Sequence, residues 1–189
     1  MSTQWLSNYF DFDSMGPADM VLSRHVEILR ADADLVELMG GEEERILYCP
    51  LGTNLSLIVA PALFATHGVD SRVPSPGLFA DTCIVRDVIR FEQWRPTDTA
   101  APWTPGIASL VSKIRTIVTD NPHLNYTPAG WMGAPIPLTR HVNTRDVSYE
   151  AVLNPDGEIE TTWDLIIEFE YELETNRAGR IRSLAINSL

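Results

Sequence analysis

Basic residues are scarce in this chain. Of its 189 residues 14 are Lys or Arg against 26 Asp or Glu, a net charge of −12. Stable contact with nucleic acid draws on clustered Lys and Arg, so the balance argues against sequence-reading DNA binding. The balance fits a soluble protein, or one past which nucleic acid slides without sticking. Cysteine is equally sparse. Cys49 and Cys83 stand apart in apolar surroundings with no Cys-x-x-Cys spacing, which reads as two reduced core thiols. No apolar run reaches the roughly 18 residues that a membrane-spanning helix needs. The most apolar stretch, 55–66, is broken by Ser56 and Pro61. Residues 1–10 lack the basic and apolar blocks of a secretory signal, so synthesis in a cytoplasm is expected, with no membrane partner.

Signatures of catalysis are missing as well. His25, His67, His123 and His141 are scattered and form no His-x-x-x-His or Cys/His ligand set. There is no Gly-x-Ser-x-Gly elbow, phosphate-cradling glycine loop or Gly-x-Gly-x-x-Gly. The close carboxylates Asp11 and Asp13, and Asp32 and Asp34, read as caps and solvated acids ahead of a metal or acid–base pair. The expectation is a protein that is not an enzyme, with no catalytic residue, no metal ligand and no cofactor.

What the chain does have is a hydrophobic fraction of 44%, enough for a packed core, and alternating helix and strand patterns. Residues 1–16 read as an aromatic-rich arm, 17–175 as one α+β domain and 176–189 as a tail. Pro17 suits a first helical turn and Asp19 its electropositive end. Leu22, Val26 and Leu29 continue an amphipathic helix. Residues 31–34 break it and cap a short second piece carrying Leu35, Leu38 and Met39, which stops at Gly40 and Gly41. A short strand is expected over 46–49. Residues 51–80, rich in Gly and Pro, read as an insertion with a possible strand at 55–60, and as a candidate inter-subunit contact. Residues 83–94 favour a strand by their β-branched and aromatic content, although their apolar spacing also suits a helix. Ile107, Leu110, Val111, Ile114, Ile117 and Val118 make one continuous helical stripe, ended by Asn121 and Pro122. Residues 125–143 look irregular.

The last third alternates. Val147, Tyr149, Ala151 and Leu153, then Ile159, Trp163, Leu165, Ile167, Phe169, Tyr171 and Leu173, hold odd positions, with acids between them. Such alternation is a strand with one buried and one wet face. Asn154, Pro155, Asp156 and Gly157 supply a hairpin turn, with Gly157 in the left-handed position. The register expected pairs Leu153 with Ile159, Ala151 with Thr161 and Tyr149 with Trp163. Residues 158–174 would extend about 56 Å at about 3.3 Å each. A compact chain of this size is only about 40 Å across. Either the strand bends sharply or its outer end leaves the subunit, and contact with another subunit is the economical reading. The acids on its wet face, Glu168, Glu170 and Glu172 among them, have no base between them in sequence and should repel. Arg177, Arg180 and Arg182 in the tail, from the same or a neighbouring chain, are the expected counter-charges at a subunit interface.

The order of elements carries a resemblance. A first helix runs into Leu35-Val-Glu-Leu-Met-Gly-Gly41 and a strand at Arg45-Ile-Leu-Tyr48. A strand ending Arg90-Phe-Glu-Gln-Trp94, an amphipathic helix and a long terminal hairpin follow. This resembles the tail terminator and related tail-completion proteins of long-tailed phages, with segments 51–80 and 125–143 longer than the simple pattern. The resemblance implies a mostly antiparallel sheet with two main helices packed on one face. It also implies a homo-hexameric ring that caps the tail tube, contacting the major tail tube protein and a head-completion or neck protein. DNA would pass through the lumen without specific binding. The place of work would be the virion, after assembly in the host cytoplasm. Another head–tail connector, or a non-viral interaction module, is the alternative.

Overall fold

The computed structural model describes residues 9–10, 17–68, 80–92, 107–127, 132–153, 159–174 and 181–182. The elements run β1 (Tyr9–Phe10), α1 (Pro17–Arg30), α2 (Ala33–Leu38), β2 (Ile46–Cys49), β3 (Ala62–His67), β4 (Ala80–Glu92), α3 (Ile107–Asp120), β5 (Thr139–Leu153), β6 (Ile159–Glu174) and β7 (Ile181–Arg182). A five-stranded sheet has the order β2-β3-β4-β6-β5, and β1 pairs with β7 in a second, two-stranded sheet. Only the β2–β3 pair in the larger sheet is parallel. The fold is α+β with a mostly antiparallel sheet.

The helices cover one face. In α1, Val21, Leu22, Val26 and Leu29 are buried, and in α3 so are Ile107, Leu110, Ile114, Ile117 and Val118. They meet the odd positions of the central strands, Val85, Ile89, Leu165, Ile167, Phe169 and Tyr171, in one cluster. Removing about 0.8 kcal/mol worth of methylene from such a site also leaves a cavity, so truncations along the α3 stripe are costly. Between the two helices α2 is fixed at both ends. The Asp32 side chain accepts from the Leu35 amide at 2.8 Å, which caps an otherwise orphaned donor. At the other end Gly40 (φ 94°) and Gly41 (φ 80°) donate to Glu37 and Val36 carbonyls. This double bond is the Schellman closure, and its left-handed residue is glycine because a Cβ would be strained there. Lys113 of α3 bridges to Asp34 at 2.8 Å and Asp32 at 3.1 Å. Burial alone would raise the Asp32 carboxyl, yet the Leu35 amide and Lys113 hold it below its ordinary value.

Three sequence expectations change. Part of the stretch 51–80, read as an insertion, belongs to the main sheet. The stretch contains β3, an inner strand at 62–67 and not 55–60, flanked by β2 and β4. Residues 55–57 form a 3-10 turn instead. Parallel neighbours need a connection of about a dozen residues to cross over, and residues 50–61 supply it. Second, β6 is neither an edge nor a strand that leaves the subunit. It lies between β4, paired from Thr162 to Glu174, and β5, paired from Ile159 to Leu173. Its length is absorbed because β4 and β5, at 13 and 15 residues, are long too. Third, β5 begins at Thr139, inside the stretch read as irregular, and is preceded by an isolated bridge of Tyr126 with Ile136. In the hairpin Leu153 does face Ile159, but Ala151 faces Trp163 and Tyr149 faces Leu165, with a shift between Ala151 and Leu153. Extra residues on one strand make a bulge, which slips the pairing without turning the apolar residues to water. The turn residues Asn154, Pro155, Asp156 and Gly157 lie outside the described residues.

Candidate functional site

The second face of the sheet carries the charged residues, and their arrangement follows from strand pairing. Even positions of β4 and β6 point away from the helices. Arg86 faces Glu168 across the ladder, and Arg90 faces Asp164. Arg86 Nε donates to Glu168 at 2.6 Å. Arg90 donates from Nε and Nη2 to both Asp164 oxygens, at 2.8 and 2.7 Å. From β5, Arg145 reaches Glu170 at 3.0 Å. Three acids of the stripe, Asp164, Glu168 and Glu170, are therefore compensated by bases of the neighbouring strands. Cross-strand neighbours lie about 5 Å apart, within reach of an ion pair. Arg86 and Arg90 sit two positions per step along a strand, so the same alternation that marked the acids marks them; Arg145 sits at the β5 bulge between Thr144 and Val147.

Of the remaining residues expected at an interface, Glu172 lies opposite Thr82 on β4 and His141 on β5. Arg182 belongs to β7, whose backbone pairs with Tyr9. Arg177 and Arg180 lie outside the described residues.

Arg90 does more than pair with one acid. Its Nη1 donates to the Leu55 carbonyl at 2.7 Å and the Ile58 carbonyl at 2.8 Å. Its guanidinium also stacks 5.2 Å from the Phe64 ring centroid, a favourable cation–π contact. Crossover residues 50–61 are thus held against the sheet, where Leu55 and Ile58 pack on a small cluster of Cys49, Phe64, Val88 and Ile166. The neighbours of those two residues face water. Leu51, Leu57 and Val59 are 81%, 76% and 81% exposed. Large aliphatic side chains fixed in water on a loop with bonded carbonyls form a preorganised contact surface, since little ordering remains to be done on binding.

Under the helices lies a buried polar cluster that no sequence pattern announced. His25 of α1 bonds Asp87 of β4 at 2.8 Å through Nε2 and the Tyr171 hydroxyl of β6 at 2.6 Å through Nδ1. All three side chains are inaccessible to solvent. An Asp–His–hydroxyl chain has the composition of a nucleophile relay, but here no substrate can reach it. Burial, with the charges of Asp87 and Cys83, pushes the Tyr171 hydroxyl well above its ordinary value, the reverse of an activated nucleophile. The cluster joins α1 to both central strands. A second pair, His67 Nε2 with Asp19 at 2.9 Å, ties β3 to the start of α1.

Among the described residues no group of three or more His, Cys, Asp or Glu is placed to hold a metal ion. Open grooves of about 410 Å³ along α3, beside Arg115 and Thr116, and of about 520 Å³ beside α2, by Arg30 and Glu37, lie on the surface of the helical layer. No described helix is long and apolar enough to cross a membrane. The chain matches no model of a known protein family, and it matches no curated protein sequence.

Proposed function

We propose that the chain is a structural protein of a phage particle, a tail terminator that assembles into a ring, closes the tail tube and faces the neck. The observation that carries this reading is the clamped crossover, which holds Leu51, Leu57 and Val59 in water at 76–81% exposure. Supporting it are the order of elements described from the sequence and the use of polar core groups for structure: His25, Asp87, Tyr171 and Arg90 are each spent on joining elements. The net charge of −12 suits a wall along which a DNA backbone passes without being held. Glu168 and Glu170, neutralised by Arg86 and Arg145, are not the acids for that role.

The test is to image the purified chain by negative stain and sediment it alone and with purified tail tubes. Rings that bind tube ends are expected. Rings that bind DNA-filled heads and ignore tubes would reassign it to the neck, and a monomer in every mixture would end the structural reading.

A further inference from the structure

The contact surface has a counterpart on the same chain. No Asp, Glu, Lys or Arg occurs from Ile46 to Val69, so the crossover is a charge-free patch on a molecule of net charge −12. A partner drawn by charge would meet the acids elsewhere. Two copies of this chain repel each other over most of their surfaces, and they approach at least cost where neither carries a charge. Another exposed, uncharged place among the described residues is segment 132–135, where Met132 is 99% exposed. Methionine adapts its shape to irregular apolar partners.

The sheet places these two patches apart. Residues 50–61 leave the edge strand β2, whereas residues 132–135 lead into the opposite edge strand β5. The crossover lies on the second face of the sheet, over Phe64, Val88 and Ile166, so the two patches are different surfaces of one copy, as a heterologous, head-to-tail contact that closes into a ring requires. A like-to-like contact of two crossovers would make a closed dimer and leave Met132 in water. Pairing along β5 itself is disfavoured. That strand carries register shifts after Thr139 and Thr144 and the charged residues Arg140, Arg145, Asp146 and Glu150, devices that keep an edge from adding a strand.

We infer that copies of this chain join head to tail, Leu51, Leu57 and Val59 of one seating on residues 132–135 of the next. This contact rests on the ring reading above, and complementation separates the two. Leu57→Asp removes one side of the contact and Met132→Asp the other. Each alone is expected to raise the concentration for half-assembly by about a hundredfold or more, because a carboxylate must be buried unpaired. Both side chains are exposed, so circular dichroism and urea midpoints should match the parent; Leu57→Ser and Met132→Ser serve if they do not.

Mixed in equal amounts, the two Asp variants should form a heterodimer through the one intact contact, seen by sedimentation velocity. Loss of assembly in Leu57→Asp with normal rings in Met132→Asp would overturn residues 132–135 as the seat of the crossover; closed dimers from Met132→Asp would point to crossover against crossover. Normal rings from both variants would overturn the contact and leave the ring standing. A parent chain that stays monomeric would remove both.

Discussion

Replacing Arg90 with Met keeps most of the aliphatic stem and volume but removes the charge and every donor of a nearly buried clamp. In the parent the Arg90 side chain is 6% exposed and its partner Asp164 is 14% exposed. The change strands that carboxylate under the crossover and frees the Leu55 and Ile58 carbonyls. Breaking a buried pair from one side costs about 3–5 kcal/mol. The two carbonyls turn to water more easily and add little, so about 4 kcal/mol is expected. With a urea dependence of about 2 kcal/mol per molar, the midpoint falls by about 2 M. Restoring neutrality with Arg90→Met and Asp164→Leu together should recover most of the loss, since an apolar pair of similar volume is often tolerated. The clamp also makes a local prediction: thermolysin should cut the single variant near Leu55 and Leu57 under conditions that leave the parent whole. An Arg90→Met midpoint within about 0.3 M of the parent, well under about 1 kcal/mol, would refute the account of Arg90 as the holder of the crossover.

Two further tests concern the buried groups. Tyr171, raised above its ordinary value first by burial and then by Asp87 and Cys83, binds its proton more tightly folded than unfolded. Its contribution is thus complete below about pH 10 and lost as pH climbs from there towards the folded value. Tyr171→Phe should cost about 1–3 kcal/mol near neutrality by leaving the His25 ring nitrogen unpaired, and should flatten the alkaline fall in stability. Alkaline slopes identical to the parent's would sink this reading. Burial pushes the Cys49 thiol up, with Arg90 opposing, and Cys83 is 1% exposed. Neither should react with Ellman's reagent until urea unfolds the chain; prompt reaction of Cys49 in the native protein would contradict its placement beneath the crossover.

Local patterns were legible before any coordinates. The α3 stripe, a cap within 31–34, the stop at Gly40 and Gly41 and the alternation in β6 each depend on residues within one or two turns or steps of each other. Periodicity reports which face of an element is buried. It does not report what lies against that face, and there tertiary structure decided. β3 took an inner place in the sheet because β2 and β4 cover both its edges, although Gly and Pro around it read as a loop. β6 stayed inside the subunit because its neighbours are equally long. Three of its acids, Asp164, Glu168 and Glu170, met Arg90, Arg86 and Arg145 across strands.

The candidate surface shows the same division. The sequence marked 51–80 as a contact segment by its lack of period. Only the fold showed that Leu55 and Ile58 turn inward while Leu51, Leu57 and Val59 turn outward, because Arg90, far along the chain, holds their backbone. The His25–Asp87–Tyr171 cluster was the least legible of all. Its members are 62 and 146 residues apart, and each alone looks ordinary in its own element. Short-range spacing fixes local conformation through sterics and solvent exposure. Pairing between distant segments is set by how all the buried faces fill one core together, and no single stretch of chain contains that information.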